Sequence, residues 1–485
     1  MPNAPVRVRL APSPTGEVHI GTLWIALFNW VYAKQHHGTF VLRIEDTDQK
    51  RFVAGSADRI YEALYWLGFS PDEGPQEGGS FGPYIQRERL QLYQDAAAQL
   101  VGSGRAYYCF CTPERLEQVR AAQTAAKLPP RYDKHCATLT REEADRRRGA
   151  GESATVRLRL PETGTVTLHD LIRGDVIFKY DLLDDSVIMK SDGYPTYHLA
   201  VVVDDHAMQI SHVFRAEEWL PSAPKHLFIY QALGWEVPAF AHFPLILGTD
   251  RSKMSKRHGT TSALMFRDQG YLPEAMRNFL VLMGWHPKGE AEVMTTDDVL
   301  AQFAIEDVHP SGAIFDQTKL DWLNGLYIRR LTPDELQVRL EPFWHQPADQ
   351  VSPTWLTAAL RLVQDRLVKL SDIDQLINFV FPSVWDSELT TFERSLLVPK
   401  KGKTDQVQQD LTWASTWLQT QSGTWTAAGL KAAMLVAIAA AGKKNGDVLW
   451  PLRVALSLRP ASPDVFDLIA LLGPAESQRR IAAFL

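Results

Sequence analysis

The sequence is poor in cysteine and has no long hydrophobic run. Its three cysteines are Cys109, Cys111 and Cys136. The N-terminus lacks the basic and apolar regions of a signal peptide, so this odd number predicts reduced thiols rather than a disulfide framework. The longest apolar stretch, residues 432–441, falls far short of the roughly 20 residues that span a membrane, and it predicts a buried helix. We therefore expect a cytoplasmic protein with no membrane contact.

The sequence also lacks an excess of positive charge. Its formal net charge is −6, and neither the part up to residue 330 nor the remainder is basic. This balance argues against a general nucleic-acid coating protein, so any RNA must be bound by local patches. The hydrophobic fraction of 45% is ordinary for a globular protein. At roughly 100–200 residues per domain, the 485 residues predict about two to four domains.

Neither a G-x-G-x-x-G fingerprint nor a G-K-[ST] phosphate loop is present at the N-terminus. Instead a predicted strand, "VRVRL" (6–10), is followed by a compact loop and a helical pattern that stops at Gly38. The strand "TFVLRI" comes next, which is the opening unit of a parallel nucleotide-binding sheet. The continuous valine run of residues 197–205 predicts a buried parallel strand where this sheet resumes. From about residue 330 the pattern is helical.

The loop "APSPTGEVHIGT" has the features of a phosphate-binding segment. Gly16 and Gly21 permit close backbone approach, and a helix that begins near Gly21 directs free N–H groups at a ligand. His19 supplies a further donor at the same place. The alternative is a proline-rich turn that only caps the helix.

A second loop, "SKMSKRHG" (252–259), carries two lysines after a predicted strand. Lys253 and Lys256 could neutralise a polyphosphate as charge shifts towards its leaving group, although most lysine-rich loops are only solvated surface. On the two loops together, the candidate catalytic residues are His19, Gly21, Lys253 and Lys256. The candidate ATP-binding residues are Ser13, Thr15, Gly16, His19, Gly21 and Lys256.

In this order the two loops resemble the HIGH-type and KMSKS-type motifs of class I aminoacyl-tRNA synthetases. The segments "LRIEDTD", "LGFSPDEGP", "DGYPTYHLA", "FRAEEWLPSAPKH" and "FDQTKLDWLNGLYI" extend the resemblance to bacterial glutamyl-tRNA synthetases. It is strong over about residues 6–330. It implies a Rossmann-like parallel-sheet catalytic domain, an inserted α+β domain and an all-α anticodon-binding domain. The implied segments are 1–85 and 196–250 (catalytic), 86–195 (inserted, acceptor-stem-binding), 251–330 (KMSKS loop and stem contact) and 331–485 (anticodon-binding, in one or two bundles).

The resemblance further implies activation of L-glutamate by ATP with Mg²⁺, and transfer of glutamate to the terminal adenosine of tRNA(Glu). Whether tRNA(Gln) is also charged stays open, and we expect a monomer. Two arginine forks would hold the substrate's side-chain carboxylate and so reject glutamine. Alternatively, Arg215 pairs with a neighbouring glutamate, and Glu45 is a helix cap or a surface carboxylate. The implied glutamate-binding residues are Arg9, Ser13, Glu45, Tyr197 and Arg215.

Related enzymes carry a structural zinc at Cys-x-Cys…Cys-x-His in the insertion. Here Thr138 replaces the histidine, so Tyr132 or His135 would have to complete a site with Cys109, Cys111 and Cys136. Three ordinary reduced cysteines are the alternative.

In the helical part, Arg366 stands about where discriminating members of the family carry an arginine that reads the last anticodon base. The alternative, a solvated helix arginine, is the more common case. The tryptophans of this part are better explained as core residues than as a stacking platform.

Other functions fit the sequence less well. The shortened paralogue that modifies a tRNA base lacks a helical end domain, and glutaminyl-tRNA synthetases end in β-barrels. Small adenylyltransferases of the HIGH type are far shorter. A catalytically inactive tRNA-binding protein would not need the residues of both motif loops.

Overall fold

The computed structural model describes residues 5–48, 50–255, 262–345, 351–400, 402–423 and 425–485. The chain forms two compact units, one comprising Met1–Arg267 with Met276–Gln317 and the other Asp268–Ala275 with Thr318–Leu485. The strands are β1 Arg7–Leu10, β2 Thr39–Leu42, β3 Ala106–Cys109, β4 Thr155–Leu158, β5 Thr165–Asp170, β6 Gly174–Lys179, β7 Val187–Met189, β8 His212–Ala216, β9 Ala239–Phe243, β10 Ile246–Leu247 and β11 Ala313–Ile314.

Helices lie between these strands and make up most of the chain after residue 317. They are α1 Ile20–Gln35, α2 Ser56–Trp66, α3 Leu90–Gly102, α4 Pro113–Ala125, α5 Arg141–Gly149, α6 Tyr197–Ala207, α7 Ala223–Leu233, α8 Ala263–Asp268, α9 Pro273–Gly284, α10 Thr296–Gln302, α11 Gln317–Arg330, α12 Pro333–Leu340, α13 Pro353–Gln364, α14 Ile373–Ile377, α15 Pro382–Leu389, α16 Thr404–Gln419, α17 Ala427–Ala440, α18 Asn445–Ser457 and α19 Val465–Ala482.

Parallel strand pairs form the centre of the first unit. β1 pairs with β2 and β8 pairs with β9, both parallel, as the predicted β-loop-α-β start requires. β1 also lies beside the start of β8, because the backbone N–H of Ser211 donates to the carbonyl of Arg7 at 2.9 Å. Ligands of such folds bind outside the carboxyl ends of the strands, so Arg9 in β1 and Arg215 in β8 are placed at the edge where a site is expected.

Residues 197–205 form a helix, so the predicted strand is wrong. α6 covers this run, and every residue from Leu199 to Asp205 is buried. A helix enclosed on all sides has no polar stripe, so its sequence is a continuous apolar run like that of a central strand. The sheet resumes instead at β8. Since Asp204 and Asp205 stand on a buried helix, their carboxylates must find partners inside the unit.

The region of the predicted insertion contains two antiparallel arrangements. β3, β4 and β7 form one sheet. β5 and β6 form a hairpin whose Asp170 pairs with Phe240 of β9, so this hairpin joins the β8–β9 sheet. The predicted boundaries at residues 85, 195, 250 and 330 stay predictions.

The second unit is helical, as predicted. Its core includes Leu360, Leu411, Leu452 and Leu468, and the tryptophans 413, 417 and 425 pack against it. Residues 432–441 lie mostly in α17, but the prediction that this helix is buried is wrong, because only Leu430, Met434 and Ile438 face the core. Alanine-rich sequence is apolar on all faces, so it does not reveal which side packs. No helix among the residues that the structure describes is both long and apolar enough to cross a bilayer.

Candidate active site

A cavity of about 530 Å³ opens at the carboxyl ends of β1 and β8, beside the start of α1. This volume lies within the range of small-molecule sites. Lys256 lies outside the described residues. The cavity is lined by every other residue that the sequence analysis assigned to ATP, glutamate or catalysis: Arg9, Ser13, Thr15, Gly16, His19, Gly21, Glu45, Tyr197, Arg215 and Lys253.

The loop between β1 and α1 forms a wall of the cavity. The N–H of Thr15 donates to the carbonyl of Ser13 at 2.9 Å, and Gly16 has a φ of +136°, a conformation that side chains with a Cβ rarely adopt. His19 caps α1, since its Nδ1 accepts from the backbone N–H of Gly21 at 3.0 Å. The loop is thus both a helix cap and a cavity wall, and the two interpretations of the sequence are compatible.

His19 is neutral in this environment. Its pKa is lowered first by burial and then by the nearby positive charge of Lys253. The neutral ring that accepts through Nδ1 carries its proton on Nε2, which leaves the Nε2–H group as the ring donor for a ligand.

Lys253 also lines the cavity, from an exposed segment after β10. Its ammonium group forms an ion pair with Glu218, and its backbone forms a bridge with Leu247. The other acidic residue after β8, Glu217, pairs with Arg173 at 2.5 Å. Glu217 and Glu218 therefore pair with residues other than Arg215.

Arg9 is almost fully buried, and the nitrogens of its guanidinium group already donate to other residues. Nε and Nη2 donate to the two carboxylate oxygens of Asp205 at 3.0 and 3.2 Å, and Nη1 donates to the carbonyl of Phe214 at 3.3 Å. Asp205 also accepts from Arg43 at 2.7 Å. The sequence analysis missed this partner because it assigned Asp205 to a strand.

Arg215 is buried to a similar degree, but among the residues that the structure describes it has no carboxylate partner. Nε donates to His242 at 2.9 Å, and Nη1 contacts His226 at 3.0 Å and the hydroxyl of Tyr197 at 3.3 Å. Nη2 is buried with no hydrogen-bond partner among the described residues. Burial lowers the pKa of Arg215. A guanidinium with a spare donor beside a cavity is suited to a ligand carboxylate.

Glu45 and Tyr197 complete the polar lining. Glu45 is buried, which excludes a surface role, and its Oε1 accepts from Arg43 at 3.0 Å. Burial raises the pKa of Glu45, and Arg43 opposes that effect. The ring of Tyr197 lies 4.3 Å from that of Trp219, which forms a wall of the cavity.

The three cysteines of the first unit meet in one cluster. Their sulfur atoms lie within 4.8 Å of one another. The hydroxyl of Tyr132 is 3.3 Å from Cys109 Sγ and 3.4 Å from Cys111 Sγ, whereas His135 is exposed and does not join the cluster. A hydrogen bond from Cys136 lowers the pKa of Cys109, which favours a thiolate. Three sulfurs and one oxygen are a donor set that fits tetrahedral zinc.

Arg366 lies in the second unit, in a turn after α13, where its side chain is exposed. Its reading of an anticodon base stays a prediction.

Comparisons with known proteins agree along the whole chain. Residues 5–322 match the family of class I tRNA synthetases (E and Q), catalytic domain, and residues 335–485 match an anticodon binding domain family. A glutamate–tRNA ligase of Dehalococcoides mccartyi is 43% identical over 482 residues, covering 98% of this chain and 96% of the relative. One of Acidothermus cellulolyticus is 44% identical over 489 residues, covering 98% and 94%.

A crystal structure of the glutamate-tRNA synthetase of Elizabethkingia anophelis has a TM-score of 0.86 at 33% identity, with 99% of each chain covered. The Rossmann-like catalytic fold and the helical anticodon-binding domain predicted from the sequence are thus confirmed. The chain belongs to the glutamyl-tRNA synthetase family of class I aminoacyl-tRNA synthetases.

Proposed function

We propose that the protein is a glutamate–tRNA ligase. In the first step, the α-carboxylate of L-glutamate attacks the α-phosphate of ATP, which forms glutamyl-adenylate and releases diphosphate. In the second step, a ribose hydroxyl of the terminal adenosine of tRNA(Glu) attacks the adenylate and releases AMP. One observation carries this proposal. Arg215, a buried arginine whose Nη2 has no described hydrogen-bond partner, lines the same cavity as the capped start of α1.

The acidic substrate would lie against Arg215. Its side-chain carboxylate would accept from Nη2 of Arg215, which has no other described partner, and from the hydroxyl of Tyr197. Arg9 adds positive potential to the site, although its Nε and Nη2 already donate to Asp205. Glutamine would leave a buried cation without an anionic partner, at a cost of about 1–3 kcal/mol or more. Glu45, and Ser13 on the loop, would hold the substrate amine.

ATP would lie along the loop and the start of α1. Ser13, Thr15, Gly16 and Gly21 would lie against the nucleotide as the wall of its site, because the backbone N–H groups of Thr15 and Gly21 already donate within the loop. His19 would donate from Nε2. Lys253 would act on the phosphates, and Lys256 has the same proposed role from outside the described residues. Mg²⁺, which enters with ATP, would neutralise phosphate oxygens. No side chain needs to act as a covalent nucleophile, because positioning and charge stabilisation suffice.

The helical unit would read the anticodon, with Arg366 as a candidate contact for its last base. The cysteine cluster would hold a structural zinc through Cys109, Cys111 and Cys136, with Tyr132 as fourth ligand. This ion would cross-link β3 to the segment around Cys136. The monomeric state and the location in the cytoplasm stay predictions, and whether tRNA(Gln) is also charged is a question for the assay below.

An aminoacylation assay tests this function. Purified tRNA(Glu) and tRNA(Gln) are each offered glutamate and glutamine with ATP, and we expect glutamate on tRNA(Glu). Glutamate on tRNA(Gln) as well would show that the enzyme accepts both tRNAs. Glutamate on neither tRNA would overturn the proposal.

A further inference from the structure

Three buried polar residues, Asp170, His242 and Arg215, form a row across three neighbouring strands. Asp170 ends β5, His242 lies in β9, and Arg215 lies in β8 opposite His242 in the parallel register. The side chains of Asp170 and His242 are 0% exposed. Burial of three such groups is costly unless each is hydrogen-bonded, so their arrangement carries information.

The hydrogen bonds of this row have one possible direction. Oδ1 of Asp170 accepts from the backbone N–H groups of Ile172 and Arg173 at 3.0 Å, and Oδ2 lies 2.6 Å from Nδ1 of His242. A carboxylate only accepts, so Nδ1 of His242 carries the proton. Nε2 then presents its lone pair to the Nε–H of Arg215, at 2.9 Å. Both ends of the row therefore require the same neutral tautomer of His242.

A second histidine holds the other side of the guanidinium. Nη1 of Arg215 donates to Nδ1 of His226 at 3.0 Å, so the proton of His226 is on Nε2 and faces Nδ1 of His198 at 3.2 Å. Burial lowers the pKa of His226 well below its usual value and that of His198 to about 4, so both rings are neutral. Arg215 thus binds acceptors that orient it without cancelling its charge.

A directly bound carboxylate would have oriented Arg215 equally well, as Asp205 does for Arg9. It would also have neutralised the charge that an acidic ligand needs. Neutral imidazoles avoid this, and they leave Nη2 of Arg215 as the donor without a partner among the described residues, in a guanidinium that lines the cavity.

We propose that Asp170, His242 and His226 are positioning residues that fix the guanidinium of Arg215 for the side-chain carboxylate of the amino-acid substrate. This inference rests on the proposed glutamate–tRNA ligase function. The three residues do not contact the reacting atoms. They set the direction in which Nη2 points and keep the positive charge available.

Paired amide substitutions test the direction of each hydrogen bond. Asparagine places its polar atoms near the Nδ1 position of histidine, and glutamine places them near Nε2. The acceptor for Arg215 is Nε2 in His242 but Nδ1 in His226, so H242Q and H226N keep an acceptor whereas H242N and H226Q lose it. One lost bond to a charged group costs about 1.5–3 kcal/mol, so H242N and H226Q should raise the KM for glutamate roughly 10- to 100-fold. H242Q and H226N should raise it much less, and the KM for ATP should stay near the wild-type value in all four.

Asp170→Asn tests the tautomer. The backbone N–H groups of Ile172 and Arg173 at Oδ1 keep the amide oxygen there, so the NH₂ group takes the place of Oδ2. It then faces Nδ1 of His242 and moves that proton to Nε2, and it also faces the backbone N–H of His242, which donates to Oδ2 at 3.1 Å in the wild type. The N–H groups at Nε2 of His242 and at Nε of Arg215 would then face each other, and their hydrogen bond would be lost. The KM for glutamate should therefore rise as in H242N. The control is D175N, because Asp175 contacts Nδ1 of the exposed His169 at the same 2.6 Å within the same β5–β6 hairpin; it should change neither KM.

The ranking of the variants decides between positioning and packing. If the larger or the smaller amide is worse at both histidine positions, side-chain volume explains the data and the inference fails. It fails also if the KM values for glutamate and ATP rise together, or if no variant differs from wild type. Circular dichroism checks folding, and if one position does not tolerate substitution the pair at the other position decides. Wild-type protein that charges no tRNA with glutamate would overturn the proposed function, and this inference with it.

Discussion

Nδ1 of His19 accepts the backbone N–H of Gly21 at 3.0 Å, so one imidazole caps a helix and lines the cavity with its other nitrogen. The cap fixes the ring at the helix start and, because Nδ1 accepts, leaves the proton on Nε2. Burial lowers the pKa of the ring, which favours its neutral form. The two functions of the ring can be separated by substitution because they use different atoms.

His19→Asn keeps a polar atom near Nδ1 and removes the donor at Nε2. If that donor stabilises charge on the phosphates, kcat should fall about 100-fold or more, with little change in the free energy of unfolding. His19→Gln should show the reverse pattern, with a smaller loss of kcat and a stability loss of about 1 kcal/mol from the missing cap. Steady-state aminoacylation and urea unfolding measure both quantities. Full kcat in H19N would reduce the role of the ring to capping.

Lys253→Ala removes an exposed ammonium group at the cavity entrance. Because the side chain is exposed and its ion pair with Glu218 contributes little to folding, stability should be unchanged. We expect kcat to fall roughly 10- to 1000-fold if Lys253 stabilises the leaving diphosphate, while the Kd for tRNA is unchanged. Lys34→Ala is the matched control, since Lys34 forms a similar surface pair with Asp72 at 2.7 Å away from the cavity. Equal rates in K253A and wild type would remove this lysine from the mechanism.

Zinc content tests the cysteine cluster. We expect about one zinc per chain, lost in C109S. Tyr132→Phe should release zinc to a chelator faster than wild type, because the hydroxyl that completes the donor set is gone. His135→Asn should release it at the wild-type rate, since His135 lies outside the cluster. Metal analysis and chelator kinetics measure these values, and zinc-free wild-type protein purified without chelators would contradict the site.

Acid should destabilise the first unit through His198. Its pKa in the folded protein is about 4, below the ordinary value of 6.5 that it regains on unfolding. Below pH 6.5 the unfolded chain therefore binds a proton that the folded chain does not, so stability falls as the pH drops towards 4. Between pH 7.5 and 5.0 this histidine should cost about 2 kcal/mol. Urea unfolding at the two pH values should show a loss of stability that is smaller by about that amount in H198Q than in the wild type.

The sequence predicted the parts of the site that are contiguous in the chain. The loop from Ser13 to Gly21 and the turn with Lys253 could be identified because phosphate binding requires glycines, a helix start and lysines at short spacing. The strands β1 and β2 and the helical second unit followed from local periodicity. In each case the physical cause acts within about ten residues of the chain, so it can be seen in the sequence.

Tertiary structure decided which groups complete the site. Periodicity did not distinguish a fully buried helix from a buried strand, so α6 was predicted as a strand and the carboxylate that holds Arg9 was missed. His226 and His242 lie 11 and 27 residues from Arg215, and Asp170 lies 72 residues from His242. Their importance comes from burial and from the direction of their hydrogen bonds. The choice between Tyr132 and His135 at the cysteine cluster was likewise open in the sequence, since only folding brings the Tyr132 hydroxyl to the sulfurs. Residue spacing determined which chemical groups this chain has available. The low dielectric and fixed geometry of the folded interior determined which of them are charged, paired or free to bind a ligand.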